Sequence, residues 1–197
     1  MERTLYIVKY AGPFGFIKPW TSVRDSETFS QQFLTPSIVE GIERKLFPEL
    51  LSAPSGIQKI VRHRLSYDQI SQQQEVTQTR GWNQTKKGKE YLFQRNTSII
   101  VRGVMVNPVL HLAFLKQEDA DEAFTQHICL ARNEDILLPQ EIFSLPESAF
   151  DNEELMPGFE LRFETNEHSF PVGIDRKTGQ QMYGWLNIVG TPVKSYQ

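Results

Sequence analysis

The apolar positions of the chain fall into two periods, and the change from one to the other marks out the elements. Thr4 to Tyr10 is β-rich and apolar at nearly every position, which predicts a central strand buried on both faces. Ser22 to Phe33 is polar and without period, an extended connection over the surface. Thr35-Pro36-Ser37 then starts a helix: Thr35 can cap it, Pro36 suits the first helical position, and Ile38, Ile42 and Leu46 recur at four-residue spacing before Pro48 ends it. Gly41 weakens this helix unless close packing on a sheet compensates, and Glu40, Glu43, Arg44 and Lys45 are expected to face water. Ile57 to Leu65 has strand composition with a charged side. Thr97 to Val106 and Val109 to Leu115 are strands joined by a turn at Asn107-Pro108. Glu118 to Arg132 carries Ala120, Ala123, Phe124 and Ile128 on one face and acids in its first turn, the pattern of a second helix. Phe159 to Phe163 alternates strictly, Asp175 to Gly179 is a hairpin turn, and Met182 to Val189 is the returning strand.

Strand, helix, strand, long insertion, strand pair, helix and a β appendage in that order predict an α+β sandwich of ferredoxin-like, RRM-like type, with the helices on one face of a sheet. The expected division is a domain over 1–132, with an insertion at about 66–96, and a β-rich segment over 133–197 packed on it. A chain of 197 residues with 39% hydrophobic positions is long and apolar enough for a real core, so disorder is excluded.

Charge changes the picture most. From Lys59 to Arg102 there are nine basic residues against three acidic ones, a net of +6 in a chain of net −3. From Glu118 to Glu167 fourteen acids face two arginines, a net of −12. The basic residues sit on an amide-rich arm with β-like alternation at Glu75 to Thr79 and Glu90 to Gln94 and turn chemistry at Arg80-Gly81 and Lys87-Gly88, which predicts a long β-hairpin with a flexible tip. Such a patch on an acidic protein suits phosphates, hence nucleic acid; the competing reading is a merely solvated loop. The acidic half repels nucleic acid and suits protein or solvent.

A second candidate is Ala11 to Trp20, where two glycines and two prolines break regular structure and Phe14, Phe16 and Trp20 supply flat surfaces. Its aromatics either plug the core or, with glycines that admit close backbone approach, stack on a base. The lone Cys129 is expected as a buried small hydrophobe in the second helix, and the Asn83 and Asn96 sequons have no consequence without a secretory route. No apolar run reaches the about 20 residues of a membrane span, and the opening residues lack signal-peptide architecture, so a cytoplasmic location without a membrane partner is expected. No metal motif or cofactor fingerprint occurs, and neither a metal nor a cofactor is expected.

Gly12-Pro13-Phe14-Gly15 after the first strand, the Thr35-Pro36-Ser37 helix start with Gly41 beyond it, the basic arm, and the run from Thr97 to Phe114 together resemble the Cas five family, in particular its type I-B-like branch. This is the RAMP-superfamily subunit that holds the 5′ handle of the guide RNA in type I CRISPR Cascade complexes. The resemblance covers residues 1 to about 115 and lies in the order of features. It implies an RNA-recognition-like domain whose arm, from Arg64 to Arg95, acts as a thumb over the guide and meets the filament-forming backbone subunit. The large subunit docks alongside, and target DNA is met indirectly through the complex. It further implies that Trp82 is a wedge or stacking residue, that Lys86, Lys87 and Lys89 contact phosphate, and that Gly12 to Trp20 and Arg62 lie at the handle. The expected RNA-binding set is therefore Gly12, Phe14, Lys18, Trp20, Arg62, His63, Arg64, Gln72, Gln73, Arg80, Trp82, Asn83, Lys86, Lys87, Lys89, Arg95 and Arg102. Charge along a backbone with amides and aromatics between agrees with how single-stranded RNA is held.

One branch of that family cleaves precursor guide RNA without metal, and His63, Tyr67 and Lys59 are the residues from which such a site could be assembled here. His63 lies between two arginines with no acid partner by spacing, so the expectation is a non-catalytic binding subunit. A metal-independent endoribonuclease and a stand-alone single-stranded nucleic-acid-binding regulator are the alternatives.

Overall fold

The strand β1 (Thr4–Ala11) is apolar on both sides because it lies inside a sheet covered on both faces: Leu5 and Ile7 point to one cluster, Val8 and Tyr10 to the other. The computed structural model describes residues 2–19, 26–130, 132–175 and 178–194, with the backbone alone for Thr79 and Arg80. The remaining elements are β2 (Phe14–Gly15), β3 (Glu27–Phe29), α1 (Pro36–Leu46), β4 (Ile60–Ser66), β5 (Gln69–Lys87), β6 (Glu90–Val106), β7 (Val109–Phe114), α2 (Gln117–Phe124), β8 (Ile128–Cys129), β9 (Ile136–Pro146), β10 (Gly158–Arg162), β11 (Phe170–Ile174) and β12 (Gln181–Val189).

These elements overturn the expected α+β ferredoxin-like sandwich. Among the described residues the protein is mostly β, with twelve strands against two α-helices of 11 and 8 residues. Its main sheet has eight antiparallel strands in the order β11-β12-β10-β4-β7-β1-β9-β8. Two features produce the difference. The run over β9, apolar but interrupted by Pro139, pairs along the whole of β1, with the proline at a register shift where a missing N–H is tolerated. The C-terminal strands then extend the opposite edge, as β10 joins β4 and β12 joins β10.

The second helix also stops earlier than its periodicity predicts. α2 ends at Phe124, Tyr10 Oη donates to the carbonyl of Ala123 at 2.6 Å, and Ile128 and Cys129 become a strand against β9. Threonine and histidine at 125 and 127 favour helix only weakly, so pairing wins. On α1 two expectations fail. Gly41 has no atom within 4 Å of where a Cβ would stand, and Glu43 is only 1% exposed. The Glu43 carboxylate accepts the backbone N–H groups of Gln58, Lys59 and Ile60, which fixes the entry into β4.

The helices cover one face of the sheet, where Val39, Ile42, Leu46, Ala120 and Ala123 meet Val8, Tyr10, Leu110, Leu112 and Phe114. The 3-10 turn Glu147–Asp151 covers the other, with Phe150 buried beside Leu5, Ile7, Ala113 and Met156. A second sheet, β2-β6-β3 with β5 on β6, leaves the main one at the junctions β4–β5 and β6–β7. Asp68 N–H donates to the Val106 carbonyl, and Asn107, at φ +49°, donates its side-chain amide to Asp68 at 2.8 Å. These bonds clamp the two chains of the arm where they leave the core.

Candidate nucleic-acid interface

β5 and β6 pair from Gln69↔Val106 to Lys87↔Glu90 with one interruption, and 19 extended residues reach about 60 Å. β2 and β3 accompany β6 only near its root, at Val101 to Val106. Gly88, at φ +66°, and Lys89 form the two-residue connection, and a positive φ at the first of two turn residues is what a tight hairpin of this twist requires. Between Gln78 and Trp82 the register slips, so Arg80-Gly81, read from sequence as a turn, is a bulge in one long strand.

Register sorts the arm into two unlike faces. Val76, Gln78, Trp82, Gln84 and Lys86 stand opposite Ile99, Thr97, Arg95, Phe93 and Tyr91, and this face carries three aromatic rings with Arg95 and Lys86 among them. The alternate positions pair Glu75 with Ile100, Thr77 with Ser98, Asn83 with Gln94, Thr85 with Leu92 and Lys87 with Glu90, a mixed face that carries no aromatic ring. Trp82 is 56% exposed, and Tyr91 and Phe93 are equally open. The Arg95 guanidinium lies 4.8 Å from the Trp82 ring centroid and donates to Gln78 Oε1 at 2.7 Å; Lys86 Nζ lies 5.6 Å from the Tyr91 ring. Cations held beside open rings suit a nucleic-acid strand that needs charge at its phosphates and flat surface at its bases. Lys86, Lys87 and Lys89 surround the turn, all exposed.

At the root of the arm, Phe14, Gln73 and Arg102 line one cleft of about 250 Å³, together with Gln74, Glu75, Arg132, Glu134 and Asp135. Arg102 and Arg132 both lie over the buried Phe16 ring, at 5.6 and 5.5 Å from its centroid. Arg132 makes a two-pronged pair with Asp135 at 2.7 and 2.6 Å, and those bonds hold its pKa above the ordinary arginine range. Gln72 lies nearby and donates to Glu27 on β3 at 2.9 Å.

Arg62, His63 and Arg64 stand elsewhere. All three are buried in the main sheet, away from the surface of the arm. Arg62 Nε and Nη2 bind both oxygens of Glu160 at 2.6 Å; Asp151 accepts from Arg62 at 2.8 Å and from Arg64 at 2.9 Å; Arg64 also reaches Glu160 at 3.1 Å. Both guanidiniums lie within 5 Å of the Phe150 ring centroid. Burial works against the charge on Arg62, but the bonds and attraction of Glu160 and Asp151 outweigh it and raise its pKa. Burial likewise works against the charge on Glu160 and Asp151, but the bonds and attraction of Arg62 and Arg64 outweigh it and lower their pKa values. His63 stacks on Phe163 at 5.6 Å with Nε2 unpartnered, and burial, helped by the neighbouring arginines, pushes its pKa down to about 4. Tyr67 is buried, the Lys59 ammonium is engaged by Glu49 and Asp119 at 2.8 and 2.9 Å, and His63 borders a cleft of about 250 Å³ with Glu160 and Phe163.

Gly12 packs against the backbone of Ile136, where a Cβ would collide with its carbonyl oxygen, so its conformation serves the fold. Lys18 lines a separate cavity of about 450 Å³ with Gln31, Thr35 and Val172. Trp20 lies outside the described residues, as does the side chain of Arg80. Sequence reasoning missed Tyr91 and Phe93, although the alternation of Glu90 to Gln94 already placed them on one face. It also missed Arg132, which no local signal distinguishes inside an acidic stretch.

Among the described residues no group of three or more His, Cys, Asp or Glu side chains is placed to hold a metal ion, and no helix is long and apolar enough to cross a membrane. No family model matches the chain, and no curated protein matches it. Among solved structures, a chain described as "CRISPR RNA-guided surveillance complex" is similar to it: the two are 12% identical, the match covers 96% of this chain and 92% of that one, and the TM-score is 0.49.

Proposed function

We propose that this protein is a non-catalytic RNA-binding subunit of a type I CRISPR Cascade effector, which holds the 5′ handle of the guide RNA and contacts the large subunit and the filament-forming subunit. The observation that carries this reading is the arm: a ribbon of about 60 Å, clamped at its root, with one face aromatic and cationic and the tip ringed by lysines. The order of sequence features from Gly12 to Phe114 that resembles the Cas five family supports the choice of complex. Binding without cleavage is favoured because His63, Tyr67 and Lys59 are buried or ion-paired.

Expression of the protein together with its genomic neighbours tests the assembly: short guide RNA and both partner subunits should copurify with it, and their absence would overturn the assignment. Incubated with precursor guide RNA in EDTA, the purified protein should leave the RNA intact. Defined cleavage that His63→Ala abolishes would establish the endoribonuclease instead.

The division of labour on the arm is open to a salt series. Replacing Lys86, Lys87 and Lys89 with Ala should flatten the log–log salt dependence of RNA binding by roughly 2, at about 0.7 per phosphate contact on a single strand. Trp82→Ala should cost about 1–3 kcal/mol of binding and leave that slope as it is. An unchanged slope in the triple variant would remove the tip from the RNA path. A Trp82→Ala defect confined to assembly would move that ring to a protein contact.

A further inference from the structure

The cleft at the root of the arm has the wrong charge for the ligand that the tip suits. Arg102 and Arg132 face Glu75, Glu134 and Asp135 there, so the lining carries one more negative charge than positive. A phosphate would meet repulsion, and releasing counterions would gain nothing. The lining is nevertheless built for polar contact. Arg132 is held in place by the buried Asp135, Arg102 Nε lies 3.6 Å from Glu75, and Gln73 and Gln74 add amide donors and acceptors. Phe14, 41% exposed on β2, supplies a flat apolar wall. Its volume of about 250 Å³ falls below the roughly 300–1,000 Å³ of pockets for drug-sized ligands and is of the scale of a single nucleotide.

We infer that this cleft takes one unpaired guanine base of the bound RNA, stacked on Phe14 and read along its edge by Arg132 and Glu134. The inference rests on the reading that the arm holds RNA. Guanine is the base whose edge sets a carbonyl acceptor beside two N–H donors, which is what a guanidinium and a carboxylate standing together complement. Arginine donates to the guanine O6, and the carboxylate accepts from N1–H and the 2-amino group. Glu134 is available for this: its side chain is largely exposed, and Arg132 Nε stands 3.6 Å from its carboxylate, beyond hydrogen-bond distance. Adenine and cytosine each set one amino donor beside acceptors, so the carboxylate gains one hydrogen bond from them where guanine gives two. Uracil offers a single N–H between two carbonyls.

The test uses the full chain and fluorescence anisotropy. The probes are oligouridylates of about 12 nucleotides, within the range a single-strand site covers, carrying one G, A or C at successive positions. Guanosine at one position should tighten binding about 5- to 100-fold over uridine there. Glu134→Gln, a change on an exposed side chain, should abolish the guanosine preference and keep the salt slope of the native protein, because no phosphate contact is lost. Phe14→Ala should weaken the guanosine strand most. Absence of any base preference, a preference for another base, or an equal loss for all sequences accompanied by a shallower slope overturns the inference while the arm reading stands. RNA binding that is absent altogether fails the arm reading, and the inference with it.

Discussion

Acidification from pH 7 to about 4 is expected to cost the fold on the order of 3 kcal/mol for each of two histidines. His63 and His111 are buried on neighbouring strands with Nε2 and Nδ1 unpartnered, and burial pushes both pKa values down to about 4 from 6.5. At His63 the neighbouring arginines add to this while Glu160 opposes it; at His111 Lys9 and Arg64 add to it. The sign follows from proton counting. Between about 6.5 and 4 the unfolded chain binds protons that the native protein refuses, so stability rises with pH across that window and is lost as pH falls through it. Glu160 and Asp151 act lower down. Their pKa values are depressed in the native state, so the stability they contribute is complete above the ordinary carboxylate range and disappears as acid protonates them. Urea unfolding from pH 7 to 4 measures the sum. A midpoint that does not move between pH 6.5 and 4.5 would contradict the burial of both imidazoles.

Glu160→Ala is expected to destabilise the protein by about 3–5 kcal/mol at pH 7, a large share of the roughly 5–15 kcal/mol that holds a domain folded. The variant leaves Arg62 and Arg64 inside the sheet with Asp151 as their one remaining carboxylate, and Asp151 is itself half exposed. Glu160 accepts three of the cluster's hydrogen bonds and ties β10 to β4, which pair through Phe159↔Leu65 alone. Loss of the carboxylate therefore releases the edge that carries β12 and β11. The measurement is again the urea midpoint, with an unchanged m-value showing that the native state is otherwise intact. A cost under about 1 kcal/mol would show that packing around Phe150, and not the ion cluster, holds the edge. Replacing all four charged residues by apolar ones of similar volume is a different experiment, since a buried ionic group contributes little beyond a hydrophobic one while breaking it in half is costly.

What the sequence made legible was local. The period over Ile38, Ile42 and Leu46 located α1, and the apolar run through Thr4 to Tyr10 located a strand buried on both faces. Turn chemistry at Gly88 located the tip of the arm. Long-range facts were not legible in the same way. Arg62 and Arg64 read as a surface patch because their partners Asp151 and Glu160 lie 87 to 98 residues away, and nothing local reveals such pairing. Glu43 read as solvated because its ligands are backbone N–H groups, which leave no trace in sequence. Pro139 disguised β9, and with it the breadth of the sheet. The cleft was half legible: Phe14, Gln73 and Arg102 were chosen for separate reasons, and only the fold brought them to one wall with Arg132.

The bulge between Gln78 and Trp82 also bears on how such a long ribbon avoids its own kind. An unaccompanied two-stranded arm offers open backbone edges, the template from which strands of different molecules recruit one another into growing sheets. On the β6 side, β2 and β3 shield only the root. On the β5 side the slipped register interrupts the flat run midway and re-aims the strand, and toward the tip Lys86 and Lys87 repel a second copy arriving in register. The break in pairing that costs the arm some rigidity thus protects the free protein against polymerisation, and it does so at the place where an exposed Trp82 and Phe93 would otherwise promote it.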